Sequence, residues 1–122
     1  MGTIKILLSS RPKLLSEVIR NLIESQLDME IIGEVIDPLQ LLSVVRDTLA
    51  DAVIITPLRA NGEPRIVHQL LKEYPLMKIV TLSSQGDAAY LYRLNHPRLL
   101  LASPSGPPIL NALRGEGIPR GN

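Results

Sequence analysis

At 122 residues, with 45% of them apolar, the chain has room for one domain with a real core and is too hydrophobic for disorder. Its 13 basic and 12 acidic residues are scattered and nearly cancel, so a net charge of +1 gives no electrostatic case for nucleic acid. Zero cysteines exclude disulfides, thiolate metal sites and cysteine nucleophiles. No apolar run approaches the ~20 residues needed to cross a bilayer, and no charged-then-apolar targeting segment is visible, so a cytoplasmic protein without membrane contact is expected.

Strand and helix signals alternate along the chain. Ile4 to Leu8 is short, apolar and β-branched, as a strand buried on both faces requires. Pro12 follows where a first helical turn tolerates it, and Leu14, Leu15, Val18, Ile19, Leu22 and Ile23 form an apolar stripe at helical spacing. Ile31 to Val35 reads as a second strand. Asp37-Pro38 reads as a helix start, a capping carboxylate before a first-turn proline, and Leu41, Leu42, Val45 and Leu49 face inward. Ala52 to Thr56 is a third strand, Pro57 to Glu63 a loop, and Pro64 opens a helix carrying Ile66, Val67, Leu70, Leu71 and Tyr74. Lys78 to Leu82 reads as strand four, Asp87 to Asn95 as a short helix, Leu99 to Leu101 as strand five and Pro108 to Arg114 as a last helix.

Five βα units in a row predict an α/β fold: a flavodoxin-like, three-layer αβα sandwich around a five-stranded parallel sheet of order 2-1-3-4-5. Residues 1–114 make this domain. Gly115 to Asn122 contain Gly and Pro with little to bury, and read as a loose tail or the start of a linker.

The order of segments resembles a bacterial response-regulator receiver domain, the CheY-like fold, and most closely the type that precedes NarL/FixJ-like DNA-binding domains. Asp28-Met29-Glu30-Ile31-Ile32-Gly33-Glu34-Val35 looks like the second-strand region of such receivers, Asp51-Ala52-Val53-Ile54-Ile55-Thr56 like their third strand, and Lys78-Ile79-Val80-Thr81-Leu82-Ser83 like their fourth. The likeness spans residues 3–114. In that family, the tips of strands one, three and five carry an acidic pair, a phosphorylated aspartate and a lysine. Here the tips read Ser9-Ser10, Thr56 and Ala102, while Ser83 keeps the hydroxyl of the family's switch position. The segment from Tyr90 to Leu99 is shorter than the family's, and Leu99 replaces the aromatic often found near strand five. The resemblance thus implies a degenerate receiver.

The chemistry of these residues agrees. Mg²⁺ takes hard oxygen ligands, usually including carboxylates, and Ser9, Ser10 and Thr56 supply only neutral hydroxyls. An acyl phosphate needs a carboxylate, which Thr56 lacks, and Ala102 has no ammonium to pair with a phosphoryl group. No metal, cofactor or catalytic residue is therefore expected. The bland reading of the strand tips is that Ser9, Ser10, Thr56, Ser83, Ser84, Ser103 and Ser105 cap strand ends. The sharper reading is an anion site with Arg11 and Arg59 as candidate contacts. Neither His68, read as a surface or boundary residue, nor His96 has a metal-ligand partner in sequence. No nucleophile elbow, Walker loop or dinucleotide fingerprint occurs, and an enzyme is not expected.

The reading favoured by the sequence is a phosphorylation-independent signalling module with a protein partner, or with itself as a homodimer. Tyr90, Leu91, Leu94, Leu99, Leu101, Ile109 and Leu110 are the candidate interaction face, with core as their alternative reading. Tyr90 and Tyr92, two apart on an expected helix, would point to different sides. Two alternatives stay open: a small-molecule or anion sensor using the vacated pocket, and the N-terminal receiver of a longer helix-turn-helix regulator. No direct nucleic-acid binding is expected of this domain in either case.

Overall fold

A computed structural model of the protein describes residues 3–9, 13–37, 40–56, 65–83, 88–95, 97–101 and 106–115. The loop 57–63, the tail 116–122, and Ser10, Arg11, Pro12, Pro38, Arg59, Ser84, His96, Ala102, Ser103 and Ser105 lie outside the described residues. Strands β1 (Ile4–Ser9), β2 (Met29–Glu34), β3 (Ala52–Ile55) and β4 (Lys78–Leu82) alternate with helices α1 (Lys13–Glu24), α2 (Leu41–Thr48) and α3 (Arg65–Glu73). Strands β5 (Ala89–Tyr92) and β6 (Leu99–Leu100) then precede helix α4 (Gly106–Arg114).

The strands form one sheet in the order β2-β1-β3-β4-β5-β6. The pairs β1–β2, β1–β3 and β3–β4 are parallel, and β5 runs antiparallel to both β4 and β6. Side chains alternate across a strand, and that alternation builds the two cores. Ile6, Leu8, Ile54, Val80 and Leu91 face α1 and α4, where Ile19, Ile23, Ile109 and Leu113 meet them. Leu7, Val53, Ile55, Ile79 and Tyr92 face α2 and α3 through Leu41, Val45, Val67, Leu70 and Leu71. The three-layer α/β architecture with a mostly parallel sheet is thus the one expected from sequence.

The exception is the segment after β4. The helix expected over Asp87 to Asn95 is instead the strand β5, so the sheet has six strands and the sequence's fifth strand is β6 at the edge. The reason lies in the period. Ala89, Tyr90, Leu91 and Tyr92 alternate between the two cores, with Ala89 and Leu91 on one side and the tyrosines on the other. That is a period of two, and aromatic residues suit a pleated surface better than a short isolated helix. Pairing with β4 also satisfies the backbone groups that β4 would otherwise leave at the sheet edge. Asn95, at φ 62°, supplies the left-handed residue of the turn into β6. Tyr90 and Tyr92 therefore share a face, contrary to the helical expectation.

Two side-chain clusters pin elements together. Arg114 donates from Nε and Nη2 to the two carboxylate oxygens of Asp28, each at 2.8 Å, and from Nη2 to Gln26 Oε1, tying the end of α4 to the turn before β2. Arg20 of α1 pairs with Glu34 at the end of β2. At the start of α4, a Cβ added to Gly106 would come within 2.9 Å of a Leu22 methyl, so the missing side chain allows α4 to approach α1.

Candidate functional site

In an open, mostly parallel sheet the functional edge is at the carboxyl ends of the strands, beside the point where strand order reverses. Here that point lies between β1 and β3, and the described tips there are Ser9, Thr56 and Ser83. Ser9 lies opposite Ile55 in the β1–β3 register, and the Thr56 N–H donates to the Ser9 carbonyl at 2.9 Å. Thr56 is 1% exposed and Ser9 3%. The Ser9 hydroxyl is shut off from solvent and has no hydrogen-bond partner among the described residues. Ser83, half-buried, is engaged in its own loop: its N–H donates to the Ala88 carbonyl at 3.0 Å, and its Oγ accepts from the Ala88 N–H at 3.2 Å.

The described rim is neutral. Asp51 sits at the other end of β3, where its Oδ2 accepts the Lys5 N–H at 3.0 Å. Among the described residues no three His, Cys, Asp or Glu side chains gather in a way that could hold a metal ion. The divalent ion implied by the fold family needs carboxylates, and the donors here, Ser9 and Thr56 with Ser10 next in sequence, do not fit it. Two buried hydroxyls can accept and donate hydrogen bonds, but neither can form an acyl phosphate. Ser10 and Ala102, and the candidate anion contacts Arg11 and Arg59, lie outside the described residues.

The candidate interaction face separates into two groups. Leu91 and Ile109 are 0% exposed and Leu101 and Leu110 8%, all in the core shared with α1 and α4. These four do not form an exposed face and take the core placement that the sequence left as the alternative; strand alternation buries Leu91 and Leu101, and the inner side of α4 buries Ile109 and Leu110. Tyr90, Leu94 and Leu99 are half-buried, and Leu100, next to them, is 60% exposed. Tyr90 and Leu100 are register partners and so stand on the same face of the sheet, where the Arg98 guanidinium lies 4.4 Å from the Tyr90 ring centroid.

His68 is exposed on α3, the surface placement read from sequence. What sequence reading missed is the pair Arg93 and Arg98. Once Ala89 to Tyr92 is a strand, Asn95 and Pro97 become turn signals, and both arginines fall on one β-hairpin facing α3. The period-two run Tyr90-Leu91-Tyr92 was the signal that could have found them.

No family model and no curated protein matches the chain. Solved structures do. A LuxR-family two-component response regulator from Aurantimonas sp. SI85-9A1 superposes with a TM-score of 0.57 at 20% identity, covering 67% of this chain and 59% of that one. The response regulator domain of CheB from Thermotoga maritima gives a TM-score of 0.57 at 17% identity, covering 95% of this chain and 75% of that one. The chain therefore spans about 59% of the length of the LuxR-family regulator. At these identities the likeness shows the fold, which is that of a CheY-like receiver. No described helix is long and apolar enough to cross a membrane.

Proposed function

We propose that this chain is a receiver-like signalling module that works without phosphorylation, through contact with a protein partner or a second copy of itself. The observation that supports the reading is the buried, neutral strand-tip edge: Ser9 and Thr56 are closed off at the tips where the resemblance to receivers implies carboxylates, in a receiver-like fold that departs from the expected one at β5. A scaffold without its transfer chemistry retains its surfaces, and protein contact is what those surfaces offer. The contact face is the β5–β6 end of the sheet on the α2–α3 side, built on Tyr90, Leu94 and exposed Leu100 rather than on the buried leucines of α4. Leu99, half-buried on the other side of β6, borders it.

A second reading has one observation in its favour. The buried hydroxyl of Ser9 has no hydrogen-bond partner among the described residues, and an anion or small ligand in the vacated pocket would supply one, with Arg11 and Arg59 as its candidate contacts. The similarity to a LuxR-family regulator, of which this chain covers 59%, also supports a place as the receiver of a longer transcriptional regulator.

The test is an amide NMR spectrum with and without Mg²⁺ plus beryllofluoride, at two protein concentrations. The expected spectrum ignores the phosphoryl mimic and broadens with concentration around Tyr90, Leu94 and Leu100. Shifts at Ser9, Thr56 and Ser83 on adding the mimic would overturn phosphorylation independence.

A further inference from the structure

We propose that the β6 edge pairs antiparallel with the β6 edge of a second copy of this chain, about a two-fold axis beside Leu100. The pairing rests on the protein-contact reading above and narrows it to one occupant and one geometry. In the β5–β6 register Tyr90 stands opposite Leu100 and Leu91 opposite Leu99; one step further on, Leu101 donates its N–H to the Ala89 carbonyl at 3.0 Å. In an antiparallel pair, residues that exchange hydrogen bonds alternate with residues that do not. Leu99 and Leu101 are therefore the bonded positions of β6, and Leu100 is not. The N–H and C=O of Leu100 point away from β5, to the outer side of the last strand of the sheet.

A residue that turns a donor and an acceptor to the same side is its own complement. Rotated by half a turn, a second Leu100 accepts from the first N–H and donates to the first C=O, with the two Cα atoms about 5.5 Å apart. The Leu100 side chain, 60% exposed, then meets its mate on the face that carries Tyr90. Charge does not oppose this arrangement. Arg98 is two residues from the axis, so its copy lies four residues along the paired strands, roughly 14 Å away and beyond the ~8 Å screening length at physiological salt. The opposite edge of the sheet is guarded, since a two-fold pair of β2 edges would gather the exposed carboxylates of Glu30 and Glu34 from both chains. A two-fold contact also closes on itself, so association stops at two chains. One bonded pair of residues is a small contact, and the dimer dissociates on dilution.

The test is amide hydrogen exchange by NMR, from dilute protein to the highest workable concentration, with sedimentation velocity on the same samples. The expected result is exchange of the Leu100 N–H slowing about threefold or more as the mass rises, while the Leu99 N–H, already bonded across to β5, keeps its rate. Leu100→Pro removes the outward N–H at an edge position where proline is tolerated and should give a folded monomer. Leu100→Val keeps the N–H and an apolar side chain and should still associate. Exchange is read on the unmutated chain, so the test stands even if the proline variant does not fold. Association that broadens Tyr90, Leu94 and Leu100 while the Leu100 exchange rate stays fixed would overturn the pairing and leave the contact face in place. Association that leaves those three residues unmoved would overturn both. A chain that is monomeric at every concentration would overturn the pairing and leave the face to a different protein. Slow exchange at every concentration would put the Leu100 N–H in a bond within its own chain and overturn the pairing as well.

Discussion

Thr56 is 1% exposed at the end of a strand whose four residues are all buried, and that burial limits what the position can hold. A carboxylate there would be withdrawn from water, and among the described residues no group of metal ligands gathers to hold an ion against it. Thr56→Asp should therefore destabilise the fold by about 3 kcal/mol or more at neutral pH, and Mg²⁺ should not restore the loss. Burial raises the carboxyl's pKa, so the penalty should shrink as pH falls through that raised value and the group becomes neutral; thermal melts with and without Mg²⁺ at two pH values check both points. Asp28 titrates in the opposite sense. Hydrogen bonds from Arg114 hold its carboxyl below the ordinary value of 3.8, against a smaller opposing effect of desolvation. A depressed folded-state pKa contributes stability that is complete above the ordinary value and is lost as pH falls from about 3.8 through the folded value. With 47% of the Asp28 side chain exposed, solvent screens the pair and the effect is modest. Acid unfolding followed by circular dichroism should show a shallower loss of stability below pH 3.8 in Arg114→Gln than in the unmutated chain.

At the scale of elements, β5 decides how the apolar stretch near the C-terminus is to be understood. Leu91 is completely buried between α1, α4 and the sheet, so Leu91→Ala should cost roughly 2–5 kcal/mol in denaturant unfolding. A loss below about 0.5 kcal/mol would mean that Leu91 is a surface residue after all. Five strands and four helices were legible from the sequence to within a few residues, because continuous apolar runs such as Val53-Ile54-Ile55 and helical stripes such as Ile66, Val67, Leu70 and Leu71 leave little choice. The segment 87–95 reads as a helix in sequence because its period-two run, Ala89 to Tyr92, is only four residues long and the resemblance to receivers implies a helix at that place. The neutral strand tips were legible residue by residue, since Ser9 and Thr56 end β1 and follow β3 as the register shows. The hollow between α3 and the β5–β6 hairpin, lined by His68, Arg93 and Arg98, was not. His68 and Arg93 are 25 positions apart in sequence, and only the hairpin brings them to the same hollow.

At the scale of the whole molecule, the two edges of the sheet are unequally guarded. The β2 edge carries exposed Glu30 and Glu34, with Arg20 paired to Glu34, and charge along an edge discourages another strand from adding to it. The β6 edge has only two strand residues, and one of them, Leu100, is 60% exposed beside Tyr90. Replacing the expected helix with β5 widens the sheet there, while α2 and α3 remain the helices that cover this face. An exposed apolar side chain at a partly covered edge is where association gains most from burial. Leu100 itself contributes little to the monomer's core, so changing it tests contact separately from folding. Sedimentation velocity should show a concentration-dependent increase in mass for the unmutated chain, abolished by Leu100→Lys with the melting temperature changed by no more than a degree or two. A protein that remains monomeric at the highest concentration would remove the self-association arm and leave only a different protein partner for this face. A Leu100→Lys variant that associates as the original does would place the contact elsewhere, on α1, where Leu14 and Val18 are 72% and 55% exposed one turn apart.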